Sequence, residues 1–379
     1  MLKSSREKIR VLIADDSLLT RRVLRDALEV DSSIKVIGEA RNGMEAVDLA
    51  LSLEPDVIIM DVVMPKMDGI TAIREIMKHK PMPIIVFSSI TYEGSKAALD
   101  AIEAGALEII PKPGNLPIIK DLGELSRELV KKVKILARLG SAKLILRQIS
   151  KVQTTRPLKE FKPVFKKPKL ERAIEVPASL VSVIASSTGG PLTLMKIVPK
   201  ISATLPSATL IVQHMPPLFT KTLAERLDRF SQIVIKEAEN GDTILSGHGY
   251  VAPGDYHMLV RIKRGKPIIE LDKGPKVHGV RPAADITMKS VAKVWGPATV
   301  AVVLTGMGCD GTEGAREIKK AGGYVIAQDE QTSIVWGMPK SVIEQGLVDE
   351  VLPMDEIGDK INHILEIKAK RCSVKWVKV

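Results

Sequence analysis

Two sets of residues in this chain have the types and spacing to do chemistry. The first is Asp15, Asp16, Asp61, Ser88 and Lys112. Three carboxylates with no thiolate or imidazole among them make a hard, oxygen-rich site suited to Mg²⁺. An ammonium and a hydroxyl nearby suit the oxygens of a phosphoryl group, and Asp61, the central carboxylate, can accept phosphate as an acyl phosphate. The second set is Ser187, His214 and Asp310, a hydroxyl, an imidazole and a carboxylate. Such relays are defined by the roles of their members, and Ser–His–Asp is one of several permitted chain orders.

Each piece has a plainer reading. The aspartates suit helix caps. The turn Ser186-Ser187-Thr188-Gly189-Gly190 suits phosphate binding at a helix start, and it is not the G-x-S-x-G elbow. His214 suits a hydrogen-bonded strand end, and Asp310, before Gly311, suits a turn. Cys309 is a rival nucleophile, although nothing in its spacing marks an electropositive thiolate site.

The elements that must position these residues are legible as alternating apolar runs and amphipathic segments. Residues 9–14, 34–38, 57–60, 84–87 and 107–110 are short β-branched runs, as expected of a parallel sheet covered on both faces. Asp15, Asp61 and Ser88 follow such runs directly and Lys112 follows the fifth after Pro111, so all reach one sheet edge, where doubly wound folds bind ligands. A second series, residues 180–185, 208–213, 299–304 and 324–327, predicts another α/β unit with a mainly parallel sheet and an antiparallel hairpin around 268–271. Ser187, His214 and Asp310 again fall at strand ends.

The chain has 379 residues, enough for two domains. Its net charge of +11 is concentrated. Residues 1–126 carry net −4, residues 127–172 net +12 and the remainder net +3. Residues 127–150 read as a basic helix with Leu129, Val133, Leu136 and Leu139 on one stripe, and 151–172 as an extended Pro/Lys linker. A basic tether is not a folded DNA-reading face, and aromatics are only 3% of the chain, which argues against stacking on single strands. Only Cys309 and Cys372 occur, so no disulfide framework or four-cysteine zinc site is expected. No apolar run reaches the roughly 18 residues of a membrane span and no secretory signal is visible, so a cytoplasmic protein without membrane insertion is expected.

Residues 8–126 resemble the receiver domain of two-component response regulators, a flavodoxin-like fold. The resemblance rests on Asp15-Asp16-Ser17, on Asp61 followed by Met64-Pro65 and Asp68-Gly69, on Ser88 and on Lys112-Pro113. It implies phosphorylation of Asp61 by a histidine kinase, Mg²⁺ held by Asp15, Asp16 and Asp61, and Ser88 and Lys112 as switch residues. Ile109 and Val63 depart from the common pattern, which bears on the speed and readout of switching. Together with the second set, the chain looks like the chemotaxis protein-glutamate methylesterase family. The motifs are Ser187-Thr188-Gly189-Gly190, Gln213-His214-Met215-Pro216, residues 250–255, Arg281-Pro282, residues 305–311 and Gly337-Met338-Pro339. Cys309 and Trp336 stand where the family often has Asn and Tyr.

What this resemblance implies is a receiver over 8–126, a basic linker over 127–175 and a methylesterase domain over 176–370. Ser187 would attack the methyl ester of a chemoreceptor glutamate, with His214 as base, Asp310 as its orienter and the Met307 amide at the oxyanion. Receptor glutamine would be deamidated by the same steps, and the ester chemistry would need no cofactor. The expected partners are methylated chemoreceptors and a chemotaxis histidine kinase, with no nucleic acid. The rivals are a DNA-binding response regulator, which predicts a short basic output domain, and a serine esterase with another substrate.

Overall fold

The computed structural model describes residues 8–112, 118–139 and 176–371. The chain forms two units, divided after Glu160.

The first unit has strands β1 (Ile9–Ala14), β2 (Ile34–Ala40), β3 (Val57–Asp61), β4 (Ile84–Ser88) and β5 (Glu108–Pro111) in one parallel sheet. Their order is β2-β1-β3-β4-β5, the doubly wound arrangement expected. Every residue of β3 and β4 is buried, as befits central strands covered on both faces. Helices α1 (Leu18–Glu29), α2 (Gly43–Leu53), α3 (Gly69–His79), α4 (Tyr92–Ala104) and α5 (Ile118–Arg138) complete it. The first four are capped by the side chains of Ser17, Asn42, Asp68 and Thr91. The residues of the acid cluster are therefore free of capping duty.

Helix α5 runs through residue 126, where the receiver was expected to end. The apolar stripe read from Leu129 onward begins a turn earlier with Leu125, and the helix itself starts at Ile118. Leu129, Val133 and Leu136 are fully buried. At about 1.5–3 kcal/mol per buried side chain, three such residues attach a helix to a core and do not describe a tether. Ser126 Oγ donates to the Ala27 carbonyl at 2.6 Å, and Lys134 pairs with Asp31, both ties to the α1 end of this unit. Part of the basic charge is likewise neutralised, Lys132 pairing with Glu128 at 2.9 Å and Glu108 at 3.4 Å. The extended stretch expected over 151–172 lies outside the described residues.

The second unit is built on seven parallel strands. These are β6 (Leu180–Ser186), β7 (Ser207–Gln213), β8 (Val234–Glu237), β9 (His248–Val251), β12 (Thr299–Val303), β13 (Tyr324–Gln328) and β14 (Glu350–Leu352). A separate antiparallel hairpin joins β10 (His257–Lys263) to β11 (Lys266–Asp272), as the pattern around 268–271 suggested. Helices α6 (Gly190–Ile197), α7 (Phe219–Phe230), α8 (Ala284–Trp295), α9 (Thr312–Lys320), α10 (Met338–Glu344) and α11 (Met354–Arg371) follow in chain order.

Sheet order is β14-β13-β12-β6-β7-β9-β8. The chain starts in the middle at β6, moves to one side through β7, and later returns to place β12 on the other side. The carboxyl end of β6 is thus the point where the winding reverses, which leaves a crevice in such sheets. Strands β8, β9 and β14 were not expected. Gly249 disguises β9, since glycine is unfavourable within strands; here an added Cβ would lie 3.0 Å from Ile235 on the neighbouring strand.

Candidate functional site

In the first unit Asp15, Asp16 and Asp61 come together at the carboxyl edge of the sheet. Asp15 and Asp61 are buried and Asp16 is exposed, and one carboxylate oxygen from each lies within 4.8 Å of the others. Lys112 Nζ donates to Asp15 Oδ2 at 2.8 Å and to Asp61 Oδ2 at 2.7 Å. Burial, opposed by Lys112 and reinforced by the charge of Asp15, raises the Asp61 carboxyl above the usual carboxylate range. Burial also works against the Lys112 charge, but its two carboxylate partners more than restore it. One ammonium thus leaves two buried carboxylates incompletely compensated, and an all-oxygen donor set with that deficit fits Mg²⁺. Ser88 Oγ donates to the Gly94 carbonyl at 3.1 Å, while the Lys112 amide donates to the Ser88 carbonyl at 2.7 Å. Ile109 is buried on β5, and Val63 is exposed.

In the second unit the reversal point gathers the other set. Parallel register pairs Ser186 on β6 with Gln213 on β7, so Ser187 and His214 leave adjacent strands side by side. The Ser187 amide donates to the Thr305 carbonyl at 3.0 Å, and the Ser187 carbonyl accepts from Gly190 at 2.7 Å. This tight exit needs its glycines. Gly189 has φ +76°, and a Cβ on Gly190 would lie 1.9 Å from Gln213 Oε1.

His214 Nε2 lies 2.7 Å from Asp310 Oδ2. An ionised carboxylate can only accept, so Nε2 carries the proton and Nδ1 is the basic nitrogen. Asp310 is 1% exposed. Its charge is met by backbone donors: Oδ2 accepts from the Ala284 amide at 2.6 Å, and Oδ1 from those of Asp285 and Gly311 at 3.0 Å each. Two of these amides open α8, and a helix N-terminus favours an anion. Burial opposes the charge, yet His214 and the amides of Asp285 and Ala284 hold the Asp310 carboxyl below its ordinary value.

The Ser187 amide is engaged with Thr305 and the Gly306 amide donates to Val335 at 2.9 Å. Neither is free for an oxyanion. The Met307 amide, between them and Asp310, has no hydrogen-bond acceptor among the described residues. Cys309 is exposed, and its sulfur lies 3.8 Å from Nδ1 of His278.

Three side chains matter more than the sequence reading assigned. Gln213 Nε2 donates to the Ser187 carbonyl at 2.9 Å and the His214 carbonyl at 3.2 Å, and its Oε1 accepts from Ser186 Oγ at 2.7 Å. Thr305 Oγ1 donates to the Thr188 carbonyl at 2.9 Å. Asp285 accepts from the amides of Gly311 and Gly314 and pairs with His278. A polar residue closing a buried strand, as Gln213 does, was the available signal for the first.

Among the described residues, no helix is long and apolar enough to cross a membrane. A family model described as CheB methylesterase matches residues 182–361, and one described as response regulator receiver domain matches residues 11–122. The chain is 48% identical over 360 residues to a Pyrococcus horikoshii protein named protein-glutamate methylesterase/protein-glutamine glutaminase, covering 95% of this chain and 94% of that protein. A protein of the same name from Thermotoga maritima is 41% identical over 355 residues, covering 93% of this chain and 97% of its own.

Proposed function

Because the chain belongs to the CheB methylesterase family, with a response-regulator receiver ahead of the esterase domain, we propose that it removes methyl esters from glutamate side chains of chemoreceptors under control of phosphorylation at Asp61. The observation that carries this reading is the His214–Asp310 pair at 2.7 Å beside the strand exit that bears Ser187.

The chemistry follows from the geometry. Ser187 Oγ attacks the ester carbonyl while His214 Nδ1 takes its proton. Asp310 keeps the other nitrogen protonated and stabilises the imidazolium. The free Met307 amide donates to the tetrahedral oxyanion. His214 returns the proton to departing methanol, and water then releases free glutamate from the acyl-serine by the same steps. With a glutamine amide the leaving group is ammonia, so deamidation needs no further group.

In the receiver, Asp15, Asp16 and Asp61 would hold Mg²⁺, which when bound neutralises charge on the transferring phosphoryl group. Asp61 Oδ attacks phosphorus on a phosphohistidine of the partner kinase, and the P–N bond breaks with its electron pair leaving on the kinase imidazole. Lys112 and Ser88 then turn toward the new phosphoryl oxygens, the serine giving up its bond to Gly94. The partners are therefore methylated chemoreceptors and a histidine kinase, and the reactions belong in the cytoplasm. A DNA-binding output is not favoured, because the α/β unit after residue 176 already has a place for its catalytic set.

The deciding experiment is methanol release from methylated chemoreceptor by the full chain and by Ser187→Ala. Release by both at equal rates would overturn the reading.

A further inference from the structure

Beside Asp310 a second arrangement repeats the order nucleophile, imidazole, buried carboxylate. Asp285 is 2% exposed and fixed from three sides: Oδ1 accepts from the Gly311 amide at 3.0 Å and the Gly314 amide at 2.7 Å, and Oδ2 faces His278 Nε2 at 2.9 Å. The carboxylate can only accept, so His278 carries its proton on Nε2 and presents Nδ1 as a base. That nitrogen lies 3.8 Å from Cys309 Sγ, within reach of an S–H donor. The thiol is exposed, and a Cβ at Gly308 or Gly279, beside Cys309 and His278 respectively, would meet nothing within 4 Å. The solvent side of the pair is therefore open to a reagent.

We propose that Cys309, His278 and Asp285 form a thiol-modification site that reacts with small disulfides and other soft electrophiles, on the same wall as the ester-cleaving set. Cysteine is not an isolated feature here, because a base and its orienting carboxylate stand behind it in the geometry that activates such nucleophiles. In exchange with a small disulfide, Sγ bonds to one sulfur and the S–S bond breaks. The thiol proton passes to His278 Nδ1 and then to the departing thiolate. No further oxidant is required, and a free thiol reverses the step.

The site is joined to the ester-cleaving set through shared backbone. The Gly311 amide donates to both Asp285 and Asp310, and the Asp285 amide donates to Asp310 at 3.0 Å. An adduct on Cys309 thus sits one residue from the carboxylate that orients His214.

The test uses the full chain carrying Cys372→Ser, so that Cys309 is the single thiol. Iodoacetamide labelling at neutral pH is followed by the mass of the peptide containing Cys309. His278→Gln is expected to slow labelling about tenfold or more, Asp285→Asn to slow it as well, and glutathione disulfide to give a mixed disulfide that Cys309→Ser lacks. Because Asp285 also ties two backbone amides and its variant can fail to fold, His278→Gln, at an exposed position, is the deciding one, with thermal melting matched to the parent. Equal labelling rates in the parent and His278→Gln would overturn the proposal. The readout does not use ester turnover, so failure of the esterase reading would leave this test standing.

Discussion

The side-chain amide of Gln213 donates to the main-chain carbonyl of Ser187 at 2.9 Å, across the gap between β7 and β6. Its second donation, to the His214 carbonyl, fixes the backbone of nucleophile and base relative to each other. Gln213→Leu should therefore lower kcat by about 10–100-fold with KM little changed, since displacements near 1 Å carry costs of that size. A large rise in KM at constant kcat, measured on methylated receptor, would contradict a positioning role.

Ser187→Ala and His214→Ala should each remove nearly all ester turnover, because nucleophile and base act as one unit. Asp310→Asn should retain a measurable residue of activity. It should also destabilise the esterase unit by about 1–3 kcal/mol, because one carboxylate oxygen facing backbone N–H groups is replaced by a donor. Unfolding in urea separates the two effects. Full activity in a folded Ser187→Ala protein would sink the serine mechanism.

A small-molecule phosphodonor with Mg²⁺ should raise turnover of the full chain, and Asp61→Asn should remove that response while leaving basal turnover near that of the parent. A tenfold activation corresponds to about 1.4 kcal/mol, within what a few rearranged contacts supply. Incorporation of phosphate into Asp61→Asn at the parent rate would place the acceptor elsewhere.

The Asp31–Lys134 pair gives a pH signature for the anchoring of α5. Lys134 and Ser33 lower the Asp31 carboxyl from 3.8 to about 2. A depressed carboxylate contributes stability above its unfolded value, and that contribution is lost as pH falls from about 4 toward about 2. Asp31→Asn should thus destabilise the receiver unit at pH 7 by at most about 1 kcal/mol, since the pair is partly exposed. The difference should shrink on acidification to pH 3. A deficit that is constant with pH would mean that the charge is not responsible.

The reach of the sequence can be seen in particular residues. Ile9–Ala14 and Ile84–Ser88 are legible because a fully covered parallel strand is a run of β-branched side chains. The ends of those runs placed Asp15, Asp61 and Ser88 at one edge. Gly249 concealed β9, and the basic surface of α5 concealed that the stripe of Leu129 and Leu136, itself legible, is buried against a core. Asp285 was beyond reach for another reason. Its importance comes from amides of Gly311 and Gly314 and from His278, and no local pattern announces a carboxylate that backbone from a distant loop will surround.

The return of β12 to the middle of the sheet also sets an order in time. Asp310 follows His214 by 96 residues, and β7, β9 and the β10–β11 hairpin are all synthesised before β12 can dock beside β6. Closing so long a loop costs entropy that only the completed central pairing repays. A chain emerging from the ribosome therefore carries Ser187 and His214 without their carboxylate until β12 and the turn after it have been made. Its full hydrolytic power waits on that central pairing, because β12 delivers the carboxylate to the serine and imidazole that β6 and β7 have already presented.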